Sequence, residues 1–307
     1  MYVIETNNLT KQFKNFTAVN NLDLKIEEGT IYGFLGPNGA GKTTTINMLT
    51  GLFKPTSGNI KICGEEVKFG EVKALKSIGF LPDVPEFYPW MNAYDFLKLS
   101  GELLGLTGKG LNEKIEALLE LVGLKGNKKK IKGYSRGMKQ RLGIAQALIN
   151  EPKIIFLDEP TSALDPIGRR EVLDIIYKLR GKVTVFFSTH ILTDVERICD
   201  KVLILDKGNK IIESTIQELK NTYEANKINI TLSTKDEMNT LYQSIKEKDW
   251  FVESELVEHK MTITTSDINK AQIEIPKIIY NENLHLQQFV TQEPTLEELF
   301  MQVVNTI

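Results

Sequence analysis

Several residue types are scarce in this chain, and each scarcity excludes something. Among 307 residues there are two cysteines, Cys63 and Cys199, and three histidines. The cysteines stand far apart and without metal-ligand spacing. Neither a disulfide scaffold nor a thiolate metal site is expected, and a reducing compartment is favoured. No stretch approaches the run of about eighteen apolar residues that a membrane-spanning helix needs. Charge is balanced, with 38 basic against 40 acidic residues and a net charge of −2, so no overall polyanion-binding surface is expected. Met1 runs straight into strand-like Tyr2 to Thr6 without a charged-then-apolar leader, so no targeting segment is expected. A strongly basic tail and a long heptad insertion are also missing. The Lys-rich stretch Lys125 to Lys132 reads as a solvated loop before the Tyr134 segment rather than as a nucleic-acid or lipid patch. Hydrophobic residues make up 41% of the chain, enough for full cores, and the length suggests two domains.

What is present begins with GPNGAGKT: Gly36, Pro37, Asn38, Gly39, Ala40, Gly41, Lys42 and Thr43, directly after the apolar run Ile31 to Leu35. This fits the phosphate-binding pattern G-x-x-x-x-G-K-[ST] between a strand and a helix. The glycines let the backbone wrap a phosphate with its N–H groups inward. Thr43 to Leu49 is predicted helical, and its start, including Thr44, adds donors and partial positive charge. Lys42 is placed to reach the β- and γ-phosphates of a nucleotide, and the Thr43 hydroxyl to ligate Mg²⁺.

Three further segments carry chemistry. Ile154 to Leu157 are four apolar residues followed by Asp158 and Glu159. A buried strand ending in carboxylates delivers charge to the ligand-binding edge of an open α/β sheet. Asp158 is expected to hold Mg²⁺, and Glu159 to act as general base toward water. A second buried run, Val183 to Phe187, leads through Ser188 and Thr189 to His190, which is placed to touch a γ-phosphate. The segment Tyr134-Ser135-Arg136-Gly137-Met138-Lys139-Gln140-Arg141 opens a helix to about Ile149, with Ser135 as N-cap. A helix start away from its own phosphate loop is suited to a phosphate held by another subunit.

The rest of the pattern sets the organisation. The N-terminal β signals and the Glu28-Gly29 turn suit an antiparallel subdomain beside a parallel core. Met91 to Leu124 reads as two helices around a turn region, Gly105 to Gly110. Phe96, Leu97, Leu99, Leu103 and Leu104 form one apolar stripe, and Ile115, Leu118, Leu119 and Val122 the other. Phe87, Tyr88, Pro89 and Trp90 precede them and suit either an interface or the core. A strand pair, Val202 to Leu205 and Lys210 to Ile212, and a helix near Ile216 to Tyr223 close a first domain, 1–222. Residues 223–307 then read as strand, helix, two strands, helix and strand. That order predicts a small ferredoxin-like α+β module, followed by a helix with the capping box Thr295-x-x-Glu298 ahead of Leu299, Phe300 and Val303.

Over residues 1 to about 222 the chain resembles an ATP-binding cassette (ABC) ATPase, with the family's motifs in the family's order. The resemblance implies a P-loop NTPase fold with a mixed sheet core, an antiparallel β subdomain and a helical subdomain. Gly36 to Thr43 corresponds to Walker A, Ile154 to Asp158 to Walker B, and Glu159 to the catalytic carboxylate. Phe13 matches the aromatic position that stacks on adenine. Ser135 and Gly137 fall in the signature segment, Ser162-Ala163-Leu164-Asp165 resembles the D-loop, and His190 the switch histidine. Two positions depart from the pattern. The signature, usually LSGGQ, reads YSRGM, with Arg136 for the first glycine and Met138 for the glutamine. In the Q-loop, after Leu81-Pro82, Asp83 stands where glutamine is common. An aspartate there is able to ligate Mg²⁺ or orient water, and a turn residue beside Pro82 and Pro85 is the alternative.

The resemblance also implies partners. One chain has one Walker A and no second copy of that pattern. Two chains, either two copies or this chain and a sister ATPase, are therefore expected to close head to tail over two ATP molecules. The expected role is the ATP-hydrolysing subunit of a membrane exporter of drug, peptide, lipid or ion. It would be peripheral on the cytoplasmic face and coupled to a separate polytopic permease, with no nucleic-acid partner. A soluble ABC ATPase acting on ribosomes or nucleic acid is the alternative.

Overall fold

A computed structural model describes residues 1–71, 73–222, 226–292 and 296–297. The chain divides into two compact units, Met1–Ile216 and Gln217–Ile307. The division falls at the start of the helix Ile216–Thr222, six residues before the expected boundary at 222. Of the expected C-terminal helix, Leu296 and Glu297 are helical, and Thr295, Glu298, Leu299, Phe300 and Val303 lie outside the described residues.

Three layers build the first unit. Its central sheet runs in the order Asn209–Thr215, Lys201–Asp206, Ile31–Leu35, Thr184–Thr189, Ile154–Asp158, Ile78–Leu81. Neighbouring strands are parallel except for the antiparallel hairpin at the Asn209 edge. The three middle strands are buried along their whole length, as continuous apolar runs in a sheet covered on both faces must be. Tyr32, Phe34 and Phe156 pack around Phe186, with ring centroids 4.9 to 5.8 Å apart. Each such ring contributes about 1.5–3 kcal/mol by burial.

The second layer is an antiparallel sheet in the order Phe16–Glu27, Tyr2–Phe13, Ser57–Ile62, Glu65–Glu66. The third is helical, made of Ala93–Leu103, Gly108–Leu121 and Arg136–Ala147. Asn92 caps the first of these by accepting from Asp95 N–H, and Ser135 caps the last by accepting from Met138 N–H.

Two expected details differ. Leu103 and Leu104 do not continue the apolar stripe of their helix: they are 79% and 55% exposed. The helix ends at Leu103, and Gly105 turns the chain at φ 81°, so both side chains leave the packed face. The strand expected over Val183 to Phe187 runs on through Thr189. Ser188 pairs there with Phe34 on one side and Asp158 on the other and is fully buried, which leaves His190 at the strand end as expected.

The second unit has the ferredoxin-like order. Strands Lys227–Leu232, Phe251–Val257, Lys260–Thr265 and Leu286–Gln292 alternate with helices Lys235–Ile245 and Ile268–Asn281. All three pairings in this sheet are antiparallel, and the first strand lies between the third and the fourth. Ile228, Ile230 and Leu232 alternate inward against Met238, Leu241, Ile245 and Ile275, with Trp250 fully enclosed.

Candidate functional site

The phosphate loop is built where the strand Ile31–Leu35 ends. Gly36 fits because a Cβ there would strike Leu205 O, and Gly41 because a Cβ there would strike Ala18 O. Gly41 also has φ 107°, a backbone region that side chains avoid. The helix Lys42–Leu49 starts at Gly41 with no side-chain cap and no acidic residue in its first turn, and Thr43 at that start is exposed. Its first N–H groups and the positive end of its dipole therefore face outward, the arrangement that binds phosphate. Pro37, Asn38 and Gly39 form the exposed rim, and Ala40 is buried behind it.

Lys42 is 7% exposed and faces into this loop. Its Nζ donates to Gly36 O at 2.7 Å and to Pro37 O at 3.2 Å, and lies 3.1 Å from Glu159 Oε1. The other Glu159 oxygen, Oε2, is 2.8 Å from His190 Nδ1. Glu159 itself has φ 47°, an uncommon conformation for a long side chain. Its N–H is held by Ser188 O at 3.1 Å. The expected base and switch histidine are thus in direct contact, and the loop lysine neutralises the base.

Asp158 is 3% exposed. Burial pushes its carboxyl above the usual range, and Glu159 and Asp83 push the same way, while hydrogen bonds from Ser188 and Thr43 oppose them. Ser188 Oγ donates to Asp158 Oδ1 at 2.5 Å. A costly buried carboxylate, satisfied by hydroxyls and beside an exposed threonine at the phosphate loop, fits a divalent cation. Hydroxyl and carboxylate oxygens are the hard donors that Mg²⁺ takes when nucleotide phosphates complete its shell. Among the described residues no cluster of three or more acidic, histidine or cysteine side chains forms a ready-made metal cage.

Phe13 stands at the hairpin Phe13–Phe16, 43% exposed, on the sheet whose Ala18 abuts Gly41. Phe53 packs edge-on against it at 6.1 Å, and Lys11 Nζ lies 5.0 Å from its ring centre, leaving a ring surface open. Asp165 caps the helix Pro166–Tyr177, accepting from Gly168 N–H at 3.2 Å. Ser135 Oγ is engaged by Met138 N–H, and Gly137 approaches the Gly168 backbone. Asp83 lies against this helix start rather than in the Lys42–Glu159 cluster. Arg136 Nη2 is 3.4 Å from its carboxylate, and the fully buried Gln140 donates to its backbone O at 2.7 Å.

Two supports are not legible in the sequence. Ser188 braces both Asp158 and the Glu159 backbone. Asp194, 1% exposed, accepts from Thr161 Oγ1 at 2.7 Å and from Arg169 Nε at 2.6 Å. It ties the segment after Glu159 to the helix after His190. A strand buried at every position, Thr184–Thr189, gives Ser188 no alternation to mark it. Asp194 has no signal either, because its partners come from two other segments.

A family model described as ABC transporter matches residues 19–162, and one described as ATP-binding protein DrrA1-3-like, C-terminal domain, matches residues 215–304. The ABC transporter ATP-binding protein YxlF of Bacillus subtilis (strain 168) is 40% identical over 313 residues, covering 99% of this chain and all of that one. The bacitracin transport ATP-binding protein BcrA of Bacillus licheniformis is 43% identical over 221 residues, 71% of each chain. Among solved structures, cbiO1 of Clostridium perfringens, described as part of the ABC transporter complex cbiONQ, superposes with a TM-score of 0.66 at 26% identity. It covers 71% of this chain and 90% of that one. The ATP-binding cassette MJ0796, a dimer in a post-hydrolysis state bound to ADP and Pi, gives 0.63 at 27% identity, over 69% and 98%.

Proposed function

The chain belongs to the ABC transporter ATP-binding protein family and is an ATP-hydrolysing subunit of a transporter, and from that premise we propose that it energises an exporter whose pore is a separate polytopic permease. The observation that carries this reading is the division of the site. Lys42, Asp158, Glu159 and His190 form one cluster, while Ser135 and Gly137 stand on the helical subdomain. A second copy of this chain, or a sister ATPase, completes each half by closing head to tail over two ATP molecules. Likeness to BcrA and the matched C-terminal module support export of a drug, peptide, lipid or ion.

In this reading adenine stacks on Phe13 and the phosphates settle on the bare helix start at Gly41 to Thr44. Lys42 leaves the Gly36 and Pro37 carbonyls and Glu159 for the β- and γ-phosphates. Glu159 orients water and accepts its proton as the water oxygen bonds to Pγ and the bond from Pγ to the ADP oxygen breaks. His190, freed from Glu159, steadies the γ-phosphate. Thr43 and Asp158, with Asp83 at the margin, are the residues that would hold Mg²⁺, which when bound neutralises phosphate charge. Ser135 and Gly137 reach the partner's ATP, beside Asp165.

Closure and reopening drive the permease between inward- and outward-facing states. A groove of about 820 Å³ between the sheet edge and the helical layer, lined by Leu75, Phe80, Leu103, Leu104 and Gln146, offers the permease an apolar seat. Among the described residues no helix is long and apolar enough to cross a membrane. In this reading the pore is another polypeptide and this chain sits on the cytoplasmic face.

The test is a pull-down of tagged Glu159→Gln protein with ATP from detergent-solubilised native membranes. A polytopic membrane protein in stoichiometric amount supports the proposal. Recovery of ribosomal components instead would move the assignment to a soluble ABC ATPase.

A further inference from the structure

The lysines that read as a solvated loop sit on a built surface. Lys128, Lys129, Lys130 and Lys132 are all exposed, and none has an acidic partner among the described residues, whereas Lys125 is paired with Glu120 at 2.9 Å. The segment is anchored through Ile131, which is 1% exposed. Ile131 N–H donates to Met91 O at 2.8 Å, and Lys132 N–H to Pro89 O at 3.1 Å. These bonds set the lysines beside Trp90 and Tyr88, which are 65% and 47% exposed with ring centroids 5.2 Å apart. Two acids flank the patch on this side. Glu86 is exposed, and Asp95 is engaged by Asn92 at 2.7 Å.

We propose that Lys128, Lys129, Lys130 and Lys132 with Tyr88 and Trp90 form a docking surface for an anionic phospholipid membrane. The chemistry on both sides matches. Indole and phenol rings favour the boundary between headgroups and acyl chains. Unpaired ammonium groups favour anionic headgroups, at roughly a five-fold gain in partitioning per lysine. A single-stranded nucleic acid would need successive stacking platforms along a basic groove. Here the aromatic pair is closed on itself, and Tyr88 also packs on Phe96 at 6.4 Å. The inference rests on the reading that the chain works at a membrane, and adds a lipid contact that needs no permease.

The chain provides its own reporter. It has two tryptophans, and Trp250 is 1% exposed with its Nε1 bonded to Glu274 at 3.0 Å. A change of emission on binding therefore reports Trp90. The purified full chain is mixed with vesicles of phosphatidylglycerol and phosphatidylcholine, or of phosphatidylcholine alone. The expected result is co-sedimentation with the anionic vesicles, a blue shift of emission, and loss of both at about 1 M salt, where the screening length is about 3 Å. Replacing all four lysines with glutamine (K128Q, K129Q, K130Q, K132Q) should lower the binding at least about ten-fold and leave basal ATP hydrolysis unchanged. Equal binding to neutral vesicles, an unmoved Trp90 emission, or an unaffected quadruple variant would overturn the proposal. Tighter binding to an oligonucleotide than to vesicles would reassign the patch to nucleic acid. Failure here alongside capture of a permease would leave the transporter reading standing. Vesicle binding without a captured permease would do the reverse.

Discussion

Arg136 and Asp83, one residue departing from the usual signature and one from the usual Q-loop, face each other, with Nη2 of one 3.4 Å from Oδ1 of the other. The pair joins the start of the helix Arg136–Ala147 to the segment after the strand Ile78–Leu81. Both side chains are nearly half exposed, at 45% and 46%, so the charge contact is worth less than about 1 kcal/mol. The buried Gln140 bond to the Asp83 carbonyl is the firmer of the two joints.

Arg136→Gly, which restores the commoner residue, is therefore expected to leave ATP hydrolysis within roughly five-fold of the parent, or to raise it. A cycle of Arg136→Gly, Asp83→Gln and the double variant should show coupling below about 1 kcal/mol in kcat/KM. Complete loss of turnover in Arg136→Gly would make Arg136 itself a catalytic contact.

Glu159→Gln keeps the shape of the side chain and removes its charge. Turnover should fall about 10²- to 10⁴-fold, the range for loss of a general base. ATP binding should persist, because the cation of Lys42 is no longer shared with a carboxylate 3.1 Å away. Gel filtration with ATP should show a trapped dimer. Hydrolysis at the parent rate would remove Glu159 from the role of base.

Lys42→Ala deletes a cation whose partners are two loop carbonyls and Glu159. Titration with a fluorescent ATP analogue should show affinity reduced at least about ten-fold, since a phosphate contact by a charged donor is worth roughly 1.5–3 kcal/mol. ATP should no longer drive dimerisation in the Glu159→Gln background. Unchanged affinity would count against Lys42 as the phosphate ligand.

Asp194→Ala should destabilise the first unit without touching nucleotide. It leaves the Arg169 guanidinium and the Thr161 hydroxyl without their buried acceptor, at a cost of about 3 kcal/mol. Thermal unfolding should drop by roughly 6–12 °C. A Tm within a degree or two of the parent would show that the network carries little energy.

Glu213 gives the acid limb of stability a named contributor. Burial alone would raise its carboxyl, but hydrogen bonds from Tyr32, Lys201 and Lys210 outweigh that and hold it below the usual range. A depressed folded-state value means the stabilisation is full above the unfolded value, about 4.5, and is lost as pH falls through the lower folded one. Glu213→Gln should lower Tm at pH 7 and make the fall of Tm below about pH 4.5 shallower. A parallel pH profile for both proteins would exclude Glu213 as the source.

Local chemistry was legible wherever the needed residues are neighbours in the chain. Gly36 to Thr43 specify a strand, a phosphate loop and a helix start within one short stretch, because only glycine fits at Gly36 and Gly41 and no cap follows. The run Ile154 to Glu159 likewise fixes a buried strand that ends in carboxylates. The βαββαβ order of the second unit was readable from period alone, since Ile228, Ile230 and Leu232 must share a face.

Tertiary structure decided what depends on segments far apart in sequence. Only the parallel register of Ile154–Asp158 with Thr184–Thr189 puts Ser188 on Asp158 and His190 on Glu159. The exposure of Leu103 and Leu104 follows from where their helix stops, which a stripe of apolar residues does not encode. The pairing of Asp83 with Arg136, and the setting of Lys128 to Lys132 beside Trp90, depend on how the helical layer packs. Sequence by itself determined the kinds of groups available and their local conformation, because those follow from side-chain sterics and polarity. Which charges neutralise one another was left to the fold, because Coulomb attraction and hydrogen bonding act over a few ångströms that only the packed chain defines.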